Sequence, residues 1–189
     1  MFAKIRVLII VMLLVFSVMT PYEAAADLVV NGGFETGNFS GWDQSGNTGF
    51  TSVTASALHS GSYGASFGPV GSYGSITQTQ SLATTPGAHY ELEFWLMNLS
   101  GSTQNGYSVE WGGQQVVSEA NISAFGWTQY EYDVIATGSS TSLSFNFRHD
   151  PSYFYLDDVS VSATAVPEPG TMLLLGFGII GLAMRRFRK

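Results

Sequence analysis

Tyr90-Glu91-Leu92-Glu93-Phe94-Trp95-Leu96 is the stretch of this chain that decides its fold. Tyr90, Leu92, Phe94 and Leu96 stand at every second position, so their side chains share one face of an extended strand. The side chains between them, Glu91, Glu93 and Trp95, point the other way. Such alternation is typical of a strand that packs on a core with one face and meets solvent with the other. The stretch therefore predicts an antiparallel sheet buried on one side.

Similar short runs, separated by turn residues, lie on both sides of this stretch. They cover Ser75–Leu82, a hairpin of Tyr107–Trp111 and Gln115–Ser118 that turns at Gly112-Gly113, Trp127–Ile135, Leu143–Phe147 and Tyr153–Val161. Because no run shows a helical period, we predict an all-β fold over residues 27–162. Seven or eight such strands favour a single jelly-roll β-sandwich.

The N-terminus carries the features of a secretory signal peptide. Lys4 and Arg6 precede the apolar run Val7–Met19, and Ala24-Ala25-Ala26 supplies small residues for cleavage. We therefore predict a signal peptide over residues 1–26, with the Sec translocon and signal peptidase as partners. An uncleaved N-terminal anchor is the alternative.

Residues 163–189 at the C-terminus begin with a short linker. A motif, an apolar stretch and a basic tail then follow one another. Val166-Pro167-Glu168-Pro169 precedes an apolar stretch over residues 171–184, and a basic tail over residues 185–189 begins with Arg185 and Arg186. Basic residues beside an apolar segment stay on the cytoplasmic side. As a helix the stretch spans about 21 Å, less than the roughly 30 Å of a bilayer core, and so predicts a short transmembrane helix that acts as a temporary anchor.

Charge is distributed very unevenly between the ends and the middle of the chain. Residues 27–166 hold one base, Arg148, against twelve acids, which gives this region a formal charge of −11. Such a domain repels nucleic acid, so we predict no nucleic-acid partner. The chain has no cysteine, so an exported domain must rely on its core rather than on disulfides.

No catalytic motif is apparent in the sequence. His59, His89 and His149 are isolated, and there is no nucleophile elbow, metalloprotease helix or phosphate-binding loop. Glu91 and Glu93 share a strand face, but acids two residues apart on an outer sheet face are normally solvated. We predict that the protein is not an enzyme, and a glycan-active hydrolase is the less favoured alternative.

The C-terminal sequence resembles the PEP-CTERM sorting signal of Gram-negative envelope proteins. The resemblance rests on Val166-Pro167-Glu168-Pro169, the apolar span and the arginine-rich end, in that order. It implies recognition by an exosortase, a membrane-embedded transpeptidase-like enzyme, and cleavage near the Pro-Glu-Pro motif. The expected precursor is membrane-anchored, and the expected product is delivered to the surface or extracellular matrix of a Gram-negative bacterium.

Four segments resemble, in their order, the galactose-binding-like jelly rolls that include many carbohydrate-binding modules. They are Val30–Glu35 (VNGGFE), His59–Ala65 (HSGSYGA), Leu82–Gly87 (LATTPG) and Tyr153–Val161 (YFYLDDVSV). The resemblance implies that the first and last strands lie close together.

A structural Ca²⁺ frequently ties those two strands in this superfamily. Carried over, Glu35 and Asp157 are the expected side-chain ligands, and Asn31, Ser60 and Ser62 are expected to contribute oxygens. Calcium takes six to eight hard oxygen ligands, which suits this set. Strict alternation points Asp158 to the opposite face. The alternative is a solvated strand end without metal.

The same resemblance implies sugar binding, which needs exposed aromatic faces and nearby polar groups. The candidates are Trp95, Trp111, Tyr107 and Tyr153, together with Tyr73 and His149. A packing role is the alternative for each of them. Trp42 follows a glycine-rich turn and is predicted to belong to the core.

Taken together, the sequence predicts an exported, exosortase-sorted surface or matrix protein with a non-catalytic β-sandwich. Two functions stay open at this stage. The sandwich binds carbohydrate, with exopolysaccharide as the partner, or it is a structural biofilm protein that binds no specific sugar.

Overall fold

A computed structural model describes residues 26–101 and 104–164. In chain order the strands are β1 (Trp42–Gly46), β2 (Thr51–Thr54), β3 (Gly64–Phe67), β4 (Gly74–Gln78), β5 (Leu82–Ala83), β6 (His89–Asn98), β7 (Asn105–Trp111), β8 (Gln114–Ala120), β9 (Phe125–Ile135), β10 (Ser140–Thr141), β11 (Leu143–His149) and β12 (Phe154–Ala163). A 3₁₀ helix, Ala55–Ala57, follows β2.

The predicted signal peptide, except for Ala26, lies outside the described residues, as do the sorting motif, the apolar span and the basic tail. Within the described ranges, no helix has the length and apolar character needed to cross a membrane.

The strands form two antiparallel five-stranded sheets. The first sheet has the order β1-β4-β11-β7-β8, the second has the order β2-β3-β12-β6-β9, and β5 and β10 pair separately. Large side chains of both sheets meet between them, as expected of two sheets packed face to face. The all-β sandwich predicted from the sequence is thereby confirmed.

The core follows from the two-residue period of the strands. In β6 the side chains of Tyr90, Leu92, Phe94 and Leu96 are buried, as their alternation predicts. Phe94 meets Phe145 of the first sheet edge to face, with ring centroids 5.2 Å apart. Contacts of this kind join the two sheets, and their edge-to-face arrangement is one that aromatic rings prefer.

Trp42 is a core residue, as predicted. Its side chain is 4% exposed, and its ring stacks on that of Phe34 with centroids 5.8 Å apart. The indole Nε1 donates a hydrogen bond to the carbonyl of Asn31. This contact fixes the N-terminal loop against the sandwich.

The N-terminal segment lies along the last strand, as the resemblance implies. The amide of Leu28 donates to the carbonyl of Val161, and the amide of Val159 donates to the carbonyl of Gly32. A Cβ at Gly32 would lie 1.8 Å from the Val159 carbonyl oxygen, so only glycine allows this close approach. The two ends of the domain are therefore joined by backbone hydrogen bonds.

Four short strands, β1, β2, β3 and the two-residue β10, escape prediction from the sequence. The strands β1, β2 and β3 contain few large alternating apolar side chains, and their stability comes from their neighbours rather than from their own pattern. The predicted strand Ser75–Leu82 also divides, because β4 ends at Gln78 and Leu82 begins β5.

Candidate functional site

The outer face of the first sheet is lined by polar side chains, and we call it the polar face. The alternation of β11 explains it, because Leu143, Phe145 and Phe147 are buried while the residues between them face outward and are half-buried. Neighbouring strands continue the pattern in register. The side chains of the polar face are Asp43, Ser45, Ser75, Thr77, Ser108, Glu110, Ser144, Asn146 and Arg148.

Asn146 occupies the centre of the polar face and is held in one orientation. Its Nδ2 atom donates a hydrogen bond of 3.1 Å to Oγ of Ser108 and lies 3.5 Å from Oε1 of Glu110. Ser75 stands opposite Asn146 on the other neighbouring strand. An amide, hydroxyls and a carboxylate thus lie side by side on a rigid sheet.

Arg148 adds a positive charge at one end of the polar face. Its Nη2 atom lies 2.8 Å from Oδ2 of Asp150 and 3.5 Å from Oε1 of Gln104. The hydrogen bond to Asp150 raises the pKa of Arg148, and the same bond lowers the pKa of Asp150. Asp150 also accepts from the amide of Gly71, so the guanidinium group is well positioned.

Tyr73 supplies an aromatic ring next to Arg148. The ring is 45% exposed, and its hydroxyl lies over β7, where a Cβ at Gly106 would be only 2.6 Å away. Gly106 pairs with Arg148 across the two strands. An exposed aromatic ring therefore borders a guanidinium group, a combination that can stack on a sugar ring and bond its hydroxyl groups.

Two predicted sugar-binding residues belong to the core instead. Trp111 is 4% exposed, and its Nε1 atom donates to the carbonyl of Ile135; Tyr107 is 2% exposed. Both residues alternate with outward-facing side chains on β7, and that register turns them inward. The expectation that Trp111 and Tyr107 present exposed sugar-stacking faces was therefore wrong.

His149 is also buried, so it cannot serve on an exposed sugar-binding surface. Its Nδ1 atom accepts from the amide of Ser152, and its Nε2 atom lies 2.8 Å from Oδ1 of Asn98. These partners assign the proton to Nε2, and burial lowers the pKa of the imidazole. The imidazole ties together two loops at one end of the sandwich.

Tyr153 and Trp95 are half-buried and lie apart from the polar face. The ring of Tyr153 covers Gly68, where a Cβ would be 2.6 Å from Cε1. Trp95 lies on the outer face of the second sheet, and its ring stacks on His59 with centroids 3.9 Å apart. Neither residue combines with another predicted candidate to form a platform.

Trp95 nevertheless belongs to an aromatic group that sequence reasoning missed. Trp127 of β9 contacts both His59 and Tyr155, with ring centroids 5.2 and 6.4 Å apart. All four side chains are half-buried on the outer face of the second sheet. The outward phase of Trp95 was the available signal, but nothing in the sequence placed Trp127 and Tyr155 beside it.

The residues expected to bind calcium converge only in part. Glu35 accepts hydrogen bonds from the amides of Ser62 and Tyr63, and Asp157 accepts from the amides of His59 and Ser60. The loop of residues 59–63 is thus held by two carboxylates from opposite ends of the domain. Asn31 turns away, since its Nδ2 atom donates to the carbonyls of Asn38 and Ser40.

Asp158 is not directed away from Asp157, contrary to the alternation expected from the sequence. The register of β12 shifts between Asp157 and Ser160, and Asp158 has a φ of +49°. The bulge brings the Asp158 carboxylate to the same loop, where Oδ2 lies 2.7 Å from Nδ1 of His59 and Oδ1 accepts from Oγ of Ser60.

The carboxylates of Glu35 and Asp157 keep some acceptor capacity beside this loop. A carboxylate has about four lone-pair positions, and the amides that bond Glu35 and Asp157 leave each of them one or more. In the part of the chain that the structure describes, no group of three or more His, Cys, Asp or Glu side chains is placed to hold a metal. Glu35 and Asp157 would therefore need backbone and hydroxyl oxygens of the loop to complete a coordination shell.

Two family models match separate parts of the chain. A carbohydrate-binding domain model matches residues 26–156, and a PEP-CTERM protein-sorting motif matches residues 165–189. The chain belongs to this family of carbohydrate-binding domains, since the match covers most of its length. The second match confirms the sorting motif, a signal for export and cell-surface sorting. No curated protein matches the chain.

Solved structures with the same fold include several carbohydrate-binding modules. TmCBM61 in complex with β-1,4-galactotriose has a TM-score of 0.58 and 21% identity, covering 74% of this chain and 100% of that one. The CBM22-1 xylan-binding domain from Paenibacillus barcinonensis has a TM-score of 0.52 and 18% identity, covering 76% and 98%. A cleaved adhesin domain of Lys-gingipain from Porphyromonas gingivalis has a TM-score of 0.53 and 16% identity, covering 72% and 99%. At these identities the likeness shows the fold.

Proposed function

We propose that this protein is a non-catalytic carbohydrate-binding protein whose sugar ligand lies on the polar face. The observation that carries the proposal is the placement of Tyr73 beside Arg148, with Asn146 on the same outer face of β11. The ring of Tyr73 offers an apolar surface, while the other two side chains offer hydrogen-bond donors in fixed positions. Glu110 beside Asn146 provides an acceptor for sugar hydroxyl groups.

The charge of the domain narrows the class of sugar. Residues 27–166 carry a formal charge of −11, which disfavours uronic acid polymers and sulfated glycans. The polar face also crosses four strands, so it suits several consecutive sugar units better than a single one. We therefore propose a neutral, extended polysaccharide, such as a matrix exopolysaccharide, as the ligand.

Titration calorimetry of the full chain in mild detergent tests the proposal, with β-1,4-linked galacto- and xylo-oligosaccharides as first probes. Tyr73→Ala is expected to weaken binding about tenfold or more, because it removes the stacking ring. Trp127→Ala, on the other sheet, is the matched control and is expected to bind normally. If Trp127→Ala loses binding while Tyr73→Ala keeps it, the aromatic group of the second sheet holds the sugar and the assignment to the polar face is wrong.

A glycan array with the same protein decides between this function and a purely structural role. Binding to a defined set of glycans supports the proposal. If the array and the host's own exopolysaccharide both give no binding, the protein is a structural surface or biofilm protein. Release of reducing ends from a bound glycan would instead indicate a hydrolase.

The proposal includes processing of the C-terminus by an exosortase of a Gram-negative host. The sorting motif at residues 165–189 supports it, with Pro167-Glu168-Pro169 as the expected recognition sequence and Arg185-Arg186 as the cytoplasmic stop. Mass spectrometry of the surface protein is expected to find a C-terminus near Glu168 in normal cells. An intact Lys189 terminus on surface protein would contradict cleavage. If cells without exosortase also give a C-terminus near Glu168, another enzyme makes the cut.

We also propose that a structural calcium ion occupies the loop of residues 59–63. Glu35 and Asp157 would hold it, together with oxygens of Ser60 and Ser62. The ion would join the N-terminal segment, this loop and β12, and its role would be stability rather than chemistry.

A further inference from the structure

A cleft opens at one lateral edge of the sandwich, away from the polar face. The strands β8 and β9 are the outermost strands of their sheets, and residues 121–124 connect them. Between them lies a cavity of about 330 Å³, which we call the edge cleft. Its lining residues are Tyr107, Glu119, Ile122, Ser123, Ala124, Phe125, Tyr130 and Tyr132.

Four of the eight residues that line the edge cleft are aromatic. Tyr107 and Phe125 stand at 66° and 63° to the ring of Tyr130, with centroids 6.0 and 6.4 Å away. Tyr132 lies two residues further along β9, and its inner face packs near Phe94. These edge-to-face contacts hold the rings in fixed positions beside the cavity.

Glu119 of β8 lies beside the aromatic wall of the edge cleft. It pairs directly with Tyr107 across β7 and β8, just as Val117 pairs with Val109, so it occupies a position on the core side of the sheet. Because β8 is an edge strand, the Glu119 side chain remains exposed there and reaches solvent. The carboxylate therefore stands at the mouth of an aromatic cavity.

Among the described residues, no Arg or Lys side chain pairs with this carboxylate. Arg148 is the single Arg or Lys among the described residues, and its guanidinium group pairs with Asp150. Burial, and then Tyr130, raise the pKa of Tyr107, so this phenol stays neutral. The strongly acidic domain further attracts cations to this site.

We propose that the edge cleft binds an organic ammonium group, with the aromatic rings around the cation and Glu119 as its counter-ion. Aromatic faces attract such cations, and a facing carboxylate adds direct charge pairing. The volume suits a small head group or one sugar unit rather than a polymer segment. An amino sugar with a free amine is the carrier that fits this protein; only that choice rests on the proposed carbohydrate function.

The test is titration of the full chain in detergent with glucosamine, choline and N-acetylglucosamine. Glucosamine and choline are expected to bind, whereas N-acetylglucosamine, which has the same ring without the charge, is not. Binding of choline alone keeps the ammonium site and excludes the amino sugar as its carrier. Equal binding of glucosamine and N-acetylglucosamine, or no binding of any probe, overturns the proposal.

Two variants locate the site. Glu119→Gln is expected to weaken ammonium binding about tenfold or more, because it removes the counter-ion. Glu131→Gln removes the same charge from the exposed outer face of β9 and is the matched control, expected to bind normally. Equal effects of the two variants would show that only overall charge matters.

The remaining alternative is that Glu119 protects an edge strand from pairing with another copy. In that case Glu119→Gln aggregates while ammonium binding by its soluble fraction is unchanged, which contradicts the proposal. Tyr73→Ala is expected to leave ammonium binding intact, so a failure of the polar face and a failure of the edge cleft remain distinguishable.

Discussion

Asp157 shows how much of this fold depends on single buried polar groups. Its side chain is fully buried and accepts hydrogen bonds from the amides of His59, Ser60 and Asp158. Burial raises the pKa of this carboxyl group, while the three amides lower it. The acid thus fastens a loop to β12 across almost a hundred residues of sequence.

We expect Asp157→Ala to destabilise the protein strongly, because three amides lose their acceptor. The cost is about 3 kcal/mol or more, which corresponds to a fall in Tm of roughly 10 °C. Thermal unfolding of the full chain in EGTA, followed by circular dichroism, measures this effect without calcium. Glu131→Ala, at an exposed position, is the control, and equal melting of the two variants would contradict the assigned role.

His149 makes stability depend on pH. Burial lowers the pKa of its imidazole, so the folded protein resists protonation while the unfolded chain takes up a proton near pH 6.5. Its contribution is therefore present above about pH 6.5 and is lost as the pH falls toward the lower pKa of the folded state. Asp157 acts in the opposite sense, since a raised pKa gives a contribution that is lost as the pH rises.

We expect the wild-type protein to have a lower urea midpoint at pH 5.5 than at pH 7.5. We expect His149→Gln to make the difference between these two midpoints smaller. The variant itself is less stable at both pH values, so the difference between them is the relevant quantity. An unchanged difference in the variant would show that other groups carry the pH dependence.

At the scale of elements, backbone geometry rather than side-chain pattern determines where strands turn. Gly112 and Gly113 connect β7 and β8 with φ values of +59° and +75°, as a two-residue hairpin of the primed type requires. The sequence predicted this hairpin because the glycine pair is a direct signal of positive φ. The bulge of β12 gave no such signal, since Asp158 is not a glycine.

We expect Gly113→Ala to destabilise the protein by about 1–2 kcal/mol through backbone strain alone. No atom lies within 4 Å of a Cβ at this position, so steric contact does not contribute. Gly126→Ala is the matched control, because it also meets open space but carries no positive φ. Urea unfolding measures both, and equal midpoints would contradict the strain.

At the scale of the whole molecule, the domain combines a cysteine-free core with strong negative charge. Its formal charge of −11 over residues 27–166 opposes compaction, and its two ends are joined by backbone bonds and by carboxylates around the loop of residues 59–63. A bound calcium ion would reduce this repulsion as well as link the segments.

We expect calcium to raise the Tm of the full chain relative to EGTA. Calcium at a concentration one hundred times its Kd adds about 2.7 kcal/mol to the free energy of unfolding, if it binds only the folded form. Glu35→Gln is expected to remove the calcium-dependent part of the increase while keeping an acceptor for the amide of Ser62. Coincident wild-type curves with calcium and with EGTA would refute the metal site.

The sequence by itself determined the all-β class, the alternating core and the sorting motif at residues 165–189. Alternation such as that of Tyr90–Leu96 is a local property, and hydrophobic burial turns it into a sheet face without information from distant residues. The signals at the chain ends are likewise read from consecutive residues.

Only the tertiary structure decided which side chains are available to a ligand. Trp111 and Tyr107 are as aromatic as Tyr73, but the register of β7 turns them into the core while Tyr73 remains exposed. Glu119 reads as an ordinary exposed acid until its pairing with Tyr107 places it at the edge cleft. Strand register and the meeting of sheet edges depend on the whole packing arrangement, so they are not written in any single segment.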